Sequence, residues 1–312
     1  MIVSMFSGIA GLRAHQNKMN VIGNNIANVN TVGYKSGRVT FQESIYQTIN
    51  SSAQGGEVYG GSNPSQVGYG SQVASIDINF NTGSYEPTGL GTDCMIAGTG
   101  FFFVGPKNTS INNGGEESQL GQLNLTRVGR FVPDGDGFLT DANGNVLYGF
   151  VPDGWDTITG DGITPPSGDT PLGEDTGQLR PLRIPNSIEI NGNQVEFTSI
   201  SIGADGTVQA TGSDNEIYKF GKVALAKVPN PNALENQGNG LYKVVNNTGE
   251  VEGFRPGEGA TGMLMSNGLE MANVDLATEF ANMITTQRGF QANSKIITVS
   301  DEMLQELISM KR

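Results

Sequence analysis

An α+β fold, with long paired, coiled-coil-like terminal helices and a mainly antiparallel β central region, is predicted by three features of this 312-residue chain. Apolar residues recur at helical spacing at both ends. The middle alternates apolar and polar residues in short runs separated by Asp-Gly and Asn-Gly pairs, which are hairpin turns by their chemistry. Glycine, at 45 residues, is about twice its usual ~7% share.

The C-terminal helix is the clearest element. Leu276, Met283, Phe290, Ile297 and Leu304 recur at steps of seven, with Phe280 and Ile308 on adjoining positions, the a/d signature of a helix packed along a seam. No proline interrupts the stretch from Asn273 to Arg312, and its one glycine is Gly289. Asn273 or Asp275 can cap the start, Glu279 lies in the first turn, and Lys311 and Arg312 close the end, so both poles suit the helix dipole. A helix of roughly 37 residues is about 55 Å long at ~1.5 Å per residue, too long to wrap around one compact core. It needs partners along its length.

The first partner lies at the other end of the chain. Ile2, Met5, Ile9, Leu12, Met19, Ile22 and Ile26 step by threes and fours, broken by Gln16. A globular middle joining the two helices makes an antiparallel pair the economical arrangement. Residues 1–42 hold Arg13, Lys18, Lys35 and Arg38 and no acid, whereas residues 267–312 carry six acids against four bases, so charge weakly favours the pair. Gln16 and Gly23 on one helix, and Gln287, Ser294 and Asp301 on the other, occupy core-type positions. A self-sufficient hairpin would not bury these five, whereas helices that also pack sideways against further copies can. The termini are therefore expected to gain order on assembly.

The formal charge of −13 argues against nucleic acid as a partner. There is no run of eighteen apolar residues, hence no expected membrane span. Met1-Ile2-Val3-Ser4-Met5-Phe6 lacks the basic region and apolar block of a cleavable secretion signal. The single Cys94 excludes an internal disulfide. These features fit a cytoplasmic protein, and equally one that leaves the cell without a cleaved leader. The basic N-terminus matches a transit peptide or a membrane-surface helix in charge alone, because it runs on into Asn-rich turn sequence rather than a cleavage site.

That turn sequence is Gly23-Asn24-Asn25-Ile26-Ala27-Asn28-Val29-Asn30-Thr31-Val32-Gly33-Tyr34-Lys35. The amides of Asn24, Asn25, Asn28 and Asn30 can satisfy backbone groups where a helix ends, and Gly33 permits a turn with positive φ. A helix stop followed by a loop explains these residue types but not their order over thirteen positions. That order resembles the N-terminal motif of the bacterial flagellar rod and hook family, axial proteins that polymerise into the shaft between motor and filament. Leu269-Glu270-Met271-Ala272-Asn273-Val274-Asp275-Leu276 and Thr286-Gln287-Arg288-Gly289-Phe290-Gln291-Ala292-Asn293-Ser294 resemble the family's closing helix. Phe6-Ser7-Gly8-Ile9-Ala10-Gly11-Leu12, Phe41-Gln42-Glu43 and the closing motifs are nearer the hook subunit than the rod subunits. With weaker matches inside, the resemblance covers somewhat more than half the chain.

Four parts follow: a terminal helical domain of residues 1–30 with 273–312, a connector of 31–92, a β domain of 93–150 with 191–265, and an insertion of 151–190. The connector is rich in Ser, Gly, Gln and Asn, with an alternating strand near Val73–Phe80. By resemblance it packs between the helical layer and the outer part and contacts neighbouring subunits; a flexible linker remains open as the alternative. Ile96–Val104 and Arg127–Leu139 resemble the family's aromatic strand and hairpin signature. Asp134, Asp136, Asp141 and Asn143 crowd oxygens as a calcium loop does. An EF-hand register starting at Asp134 would, however, put Asn145 where a bidentate Glu belongs, so turn chemistry is the better reading. The insertion holds the only tryptophan, Trp155, and is short for the outer domain that hook proteins carry.

Catalytic candidates are soon exhausted. His15 is the only histidine and lies on a predicted helix, so no histidine-based triad or histidine-rich metal site can be built. Gly257-Glu258-Gly259-Ala260-Thr261-Gly262 matches GxGxxG without a surrounding βαβ unit and reads as a loop back to the helix. Cys94 reads as a small buried side chain. No enzyme, metal or cofactor is expected. The resemblance implies a hook subunit, exported through the flagellar type III apparatus to the basal body and hook. It would polymerise with itself and meet rod, hook cap and hook-filament junction proteins. Its helices would line an inner tube and its β domains face outward, in a joint whose outer contacts slide. A stiff distal rod protein is the alternative. A secreted acidic β-rich adhesin explains the composition but neither motif.

Overall fold

The computed structural model describes residues 2–52, 54–55, 60–107, 111–112, 120–152, 175–190 and 193–310. They fall into two units, one comprising Met1–Val29, Ser36–Asn79 and Val274–Arg312, the other Asn30–Lys35 and Phe80–Asn273.

The first unit contains both helices, α1 (Ile2–Ala27) and α2 (Leu276–Met310), and four strands, β1 (Gly37–Glu43), β2 (Tyr46–Asn50), β3 (Ser65–Gly68) and β4 (Ser71–Ile78). Of the two caps left open by the sequence, Asp275 starts α2. Its Oδ1 accepts from the Ala277 amide at 3.0 Å and its Oδ2 from the Thr278 hydroxyl at 2.6 Å, satisfying first-turn donors that have no intrahelical partner. Lys311 and Arg312, expected to close the helix, lie outside the described residues. β1 and β4 pair antiparallel from Gly37↔Ile78 to Glu43↔Ser71, and β2 and β3 form a hairpin from Tyr46↔Gly68 to Asn50↔Ser65. The strand expected near Val73–Phe80 is β4, which stops at Ile78. Phe80 belongs to the second unit, where it meets Phe101 and Tyr242 edge-on with ring centroids 5.5 and 5.6 Å away.

The second unit is built on an antiparallel sheet. Along its main path lie Ser187–Ile190, Asn193–Ile202, Thr207–Gly212, Ile217–Val223, Val146–Pro152, Phe101–Gly105, Asn124–Thr126, Leu241–Lys243 and Glu235–Gly238. Phe101-Phe102-Phe103-Val104 is buried at every residue, as suits a strand covered on both faces. The core joins Phe102, Phe131, Leu147, Val208, Phe220 and Leu225. The expected turns form. At Asp141-Ala142-Asn143-Gly144, the Asp141 Oδ1 accepts from the amides of Asn143 at 2.8 Å and Asn145 at 2.9 Å, so that oxygen is engaged in the turn rather than turned outward to a cation. Around Gly257–Gly262 the chain makes a turn, the Gly257 amide donating to the Gly262 carbonyl at 3.2 Å before the strand Met263–Ser266. Asp175–Pro181 pairs beside Val146–Pro152, so this end of the insertion lies in the sheet; Trp155 is outside the described residues.

Candidate assembly site

The two helices pack antiparallel, and close approach sets where they touch. A Cβ on Gly8 would lie 3.3 Å from Ile297, one on Gly11 2.7 Å from the Asn293 amide, and one on Gly289 2.6 Å from the His15 ring. The contact is thus reciprocal: Asn293 of α2 sits in a notch at Gly11, and His15 of α1 sits in a notch at Gly289. Buried residues on α1 are Gly8, Gly11, Ala14, Ile22 and Asn25, and those on α2 are Thr286 and Ser300. Thr286, Asn293 and Ser300 are seven apart and satisfy themselves on their own helix. The hydroxyls donate to the Asn282 and Ile296 carbonyls at 2.6 and 2.8 Å, and the Asn293 amide donates to the Gly289 carbonyl at 3.0 Å. The contact is therefore one of fit more than of directed bonds.

This turns the helix faces relative to the sequence expectation. Gln16, Gly23, Gln287 and Asp301, assigned to core-type positions, are exposed and Ser294 is half-buried; on α2 the residues one position earlier, Thr286, Asn293 and Ser300, take the inward places. Of the apolar seam, Ile22 is buried. Met5, Leu12, Met19, Ile26, Met283, Ile297 and Leu304 are half-buried, while Ile9, Leu276, Phe280, Phe290 and Ile308 are exposed. The side chain of Ile2 lies outside the described set. Small residues carry no hydrophobic signal, so periodicity found the helices and left Gly8, Gly11, Thr286 and Ser300 unmarked. The recurrence of Thr286, Asn293 and Ser300 was the available clue.

Asn25 is the buried member of the asparagine motif. Its side-chain amide and the Gly37 backbone exchange two hydrogen bonds of 2.9 Å, mimicking a strand pair, and its Nδ2 also reaches Glu279 Oε1 at 3.3 Å. One amide thus ties α1 to β1 and to the first turn of α2. Asn28 folds back on Asn24, Asn24 and Asn30 are exposed, and Gln287 and Arg288 lie on the exposed side of α2. His15 lies 5.8 Å from the Phe41 ring, and its Nδ1 is buried without a hydrogen-bond partner. Burial, then Lys18, hold its pKa below the ordinary histidine value.

α2 presents more apolar surface than α1 covers. Phe280, Ile284, Ile296, Val299, Met303, Leu307 and Ile308 are exposed, and β2 and β3 are exposed at nearly every residue, with Tyr46, Ile49 and Val67 among them and Ile45 just before. An isolated two-stranded hairpin with both faces in water is marginal.

In the second unit, Gly33 adopts φ of 70° and its amide donates to the Glu270 carbonyl at 2.7 Å. Asn273 donates from its amide nitrogen to the Tyr34 carbonyl at 3.4 Å and from its side chain to the Asn81 carbonyl at 3.0 Å. The chain therefore enters and leaves this unit at one place. Lys35, Arg127 and Glu270 meet there, a cluster that sequence reasoning missed although all three lie within or at the edge of family-like motifs. Among the described residues no group of three or more His, Cys, Asp or Glu is arranged to hold a metal ion, and no helix is long and apolar enough to cross a membrane.

Comparison with known proteins identifies both ends of the chain. Residues 265–310 match the family described as Flagellar basal body rod FlgEFG protein C-terminal, and residues 5–35 match Flagella basal body rod protein. The flagellar basal-body rod protein FlgG of Bacillus subtilis (strain 168) is 37% identical over 317 aligned positions that cover all of both chains. FlgG of Buchnera aphidicola subsp. Schizaphis graminum is 32% identical, covering 98% of this chain and 99% of that one. The flagellar hook protein FlgE of Borreliella burgdorferi is 28% identical over 457 aligned positions, again covering all of both. The chain belongs to the flagellar basal-body rod and hook family, the axial structural proteins of the flagellum. Both matched segments coincide with the terminal motifs.

Proposed function

We propose that this chain is a rod subunit, the distal rod protein of a bacterial flagellum, and that it polymerises with itself into a stiff drive shaft. The observation that carries the reading is similarity matched in length. Alignment to the Bacillus subtilis rod protein closes over 317 positions, near the 312 residues here, whereas alignment to the Borreliella burgdorferi hook protein stretches to 457. The hook relative therefore carries long segments with no counterpart in this chain. The hook expectation rested on the wording of the terminal motifs, and those lie in segments that rod and hook proteins share.

In this reading the terminal helices form a coiled-coil-like inner layer, with the exposed Leu276, Phe280, Ile284 and Phe290 facing neighbouring copies and Ile297 packed on Gly8 within the chain. Exposed apolar residues of α2 and of the β2–β3 hairpin support it, because a second copy removes them from water. The partners are copies of the chain, the adjoining rod and hook subunits, and the flagellar export apparatus that delivers it. The place of work is the basal body.

Electron microscopy of basal structures from cells lacking the gene tests this. A rod that stops short supports the proposal. Full-length rods missing only the curved segment beyond them assign the chain to the hook, and intact flagella overturn both assignments.

A further inference from the structure

One carboxylate lies between two cations in the dry interior of the β-rich unit. Glu270 Oε1 accepts from Lys35 Nζ at 2.6 Å and from the Gly83 amide at 2.8 Å, and its Oε2 accepts from Arg127 at 3.4 Å. Lys35 also donates to the Asn81 carbonyl at 2.9 Å, and Arg127 donates to the carbonyls of Ile96 at 3.2 Å and Gly98 at 2.6 Å. The side chains of Lys35 and Glu270 are 0% exposed and that of Arg127 is 2% exposed. Backbone bonds converge on the same point: the Gly33 amide on the Glu270 carbonyl at 2.7 Å, and the Met271 amide on the Ser84 carbonyl at 2.9 Å. Segments far apart in the chain meet at Glu270, which is 235 positions from Lys35 and 143 from Arg127.

Like charges brought together in a low-dielectric site repel, and each resists leaving water. Burial holds the Lys35 ammonium below the usual lysine range, with Glu270 opposing and Arg127 adding to the shift; burial likewise lowers Arg127 against the pull of Glu270. Without Glu270 the site would hold two cations and no anion. Without Lys35 it would hold a balanced pair. The three charges are therefore unequal in importance, and the anion is the one that the site cannot lose.

We propose that Glu270 is a closing clasp: Asn30–Lys35 and Glu270–Asn273, the connections into and out of the β-rich unit, lock together only when this carboxylate arrives between Lys35 and Arg127. The order of the N-terminal motif is then conditional on the presence of the C-terminal motif. The two segments that frame α1 and α2 in the sequence become fixed in one event, late in folding, because the loop to be closed is most of the chain. This device is independent of the rod assignment, and its test involves no filament.

Hydrogen exchange of the full-length chain reads it at the Gly33 and Met271 amides. Glu270→Gln keeps the shape and leaves two buried cations, so exchange at both amides should rise on the order of a hundredfold or more. Lys35→Met leaves the Glu270–Arg127 pair balanced and should raise exchange at least about tenfold less than Glu270→Gln does. The double variant returns the site to one net positive charge, as in the natural chain, and should recover at least about tenfold of the Glu270→Gln loss. Equal losses in the two single variants with no recovery in the double variant would mean that only shape and hydrogen bonding matter, and would overturn the clasp. If Glu270→Gln does not fold, the double variant decides: folded, it supports the charge balance; unfolded, it sinks it. In pulse-labelled refolding of the unaltered chain, protection at Gly33 should appear together with protection at Met271. Gly33 protected first would equally overturn the proposal.

Discussion

Tyr242 shows how one side chain couples the β-rich unit to pH. It is 3% exposed, and burial, assisted by Tyr34 and Glu270 and opposed by Arg127, pushes its hydroxyl up to about 12 from an ordinary 10.0. A phenol raised in the folded state contributes stability that is complete below its unfolded value and is lost as pH climbs through the folded one. Two units correspond to about 2.7 kcal/mol. Denaturant unfolding between about pH 9 and 12 should therefore fall more steeply in the natural chain than in Tyr242→Phe, the difference opening above about pH 10. Lys35 has the opposite slope, since its lowered value means stability gained as pH rises toward 10.5, so both proteins must retain it. Asn25 is the corresponding residue of the helical unit. Asn25→Ala leaves the Gly37 amide and carbonyl without their side-chain partners and should destabilise the helical unit by about 1–3 kcal/mol, measured by thermal loss of helical circular dichroism.

At the scale of elements, two glycines separate propensity from fit. Gly23 in α1 has nothing within 4 Å of a would-be Cβ, so Gly23→Ala should stabilise the helix by up to about 1 kcal/mol. Gly289→Ala gains the same propensity but drives a methyl to 2.6 Å from the His15 ring, and a net loss of about 1–3 kcal/mol is expected in the same denaturation experiment. A stabilised Gly289→Ala would mean that His15 swings away freely and that the notch sets nothing. The pair of helices was legible in the sequence because seven-residue recurrence reports a helix whatever it touches. The places of closest approach were not, since Gly8, Gly11, Thr286 and Ser300 have little apolar surface to mark them. The β2–β3 hairpin was illegible for a related reason: with both faces in water it needs no alternation. Asp275 and Asn273 were equal as caps by chemistry, and only the geometry of the Ala277 and Thr278 donors chooses between them. The Lys35–Arg127–Glu270 cluster draws on three family-like motifs, yet linear order does not disclose that residues 235 apart share one site.

For the whole molecule, the unfilled apolar surface of α2 predicts how assembly and stability come apart. Ile284 is 58% exposed in the single chain, so Ile284→Lys should leave its unfolding within about 0.5 kcal/mol of the natural protein. It should nevertheless block filament growth in sedimentation and electron microscopy, because a lysine buried against a second copy has no partner. Normal growth would remove this face from the assembly contact. A net charge of −13 on each copy adds a salt dependence: association should quicken as ionic strength approaches the physiological range, where charges more than ~8 Å apart are largely screened.

The places where the chain crosses between units suggest a modular construction. The Asn79 amide meets the Ser36 carbonyl at 2.8 Å, and the Asn273 amide meets the Tyr34 carbonyl at 3.4 Å, so each excursion begins and ends at neighbouring points. A segment with touching ends can be lengthened, shortened or exchanged without altering the scaffold that carries it. The helices are then a common chassis, and the pieces between them are grafts. A foreign domain whose own termini lie side by side could be spliced between Asn81 and Asn273, which meet at 3.0 Å, leaving β1–β4 with the helices.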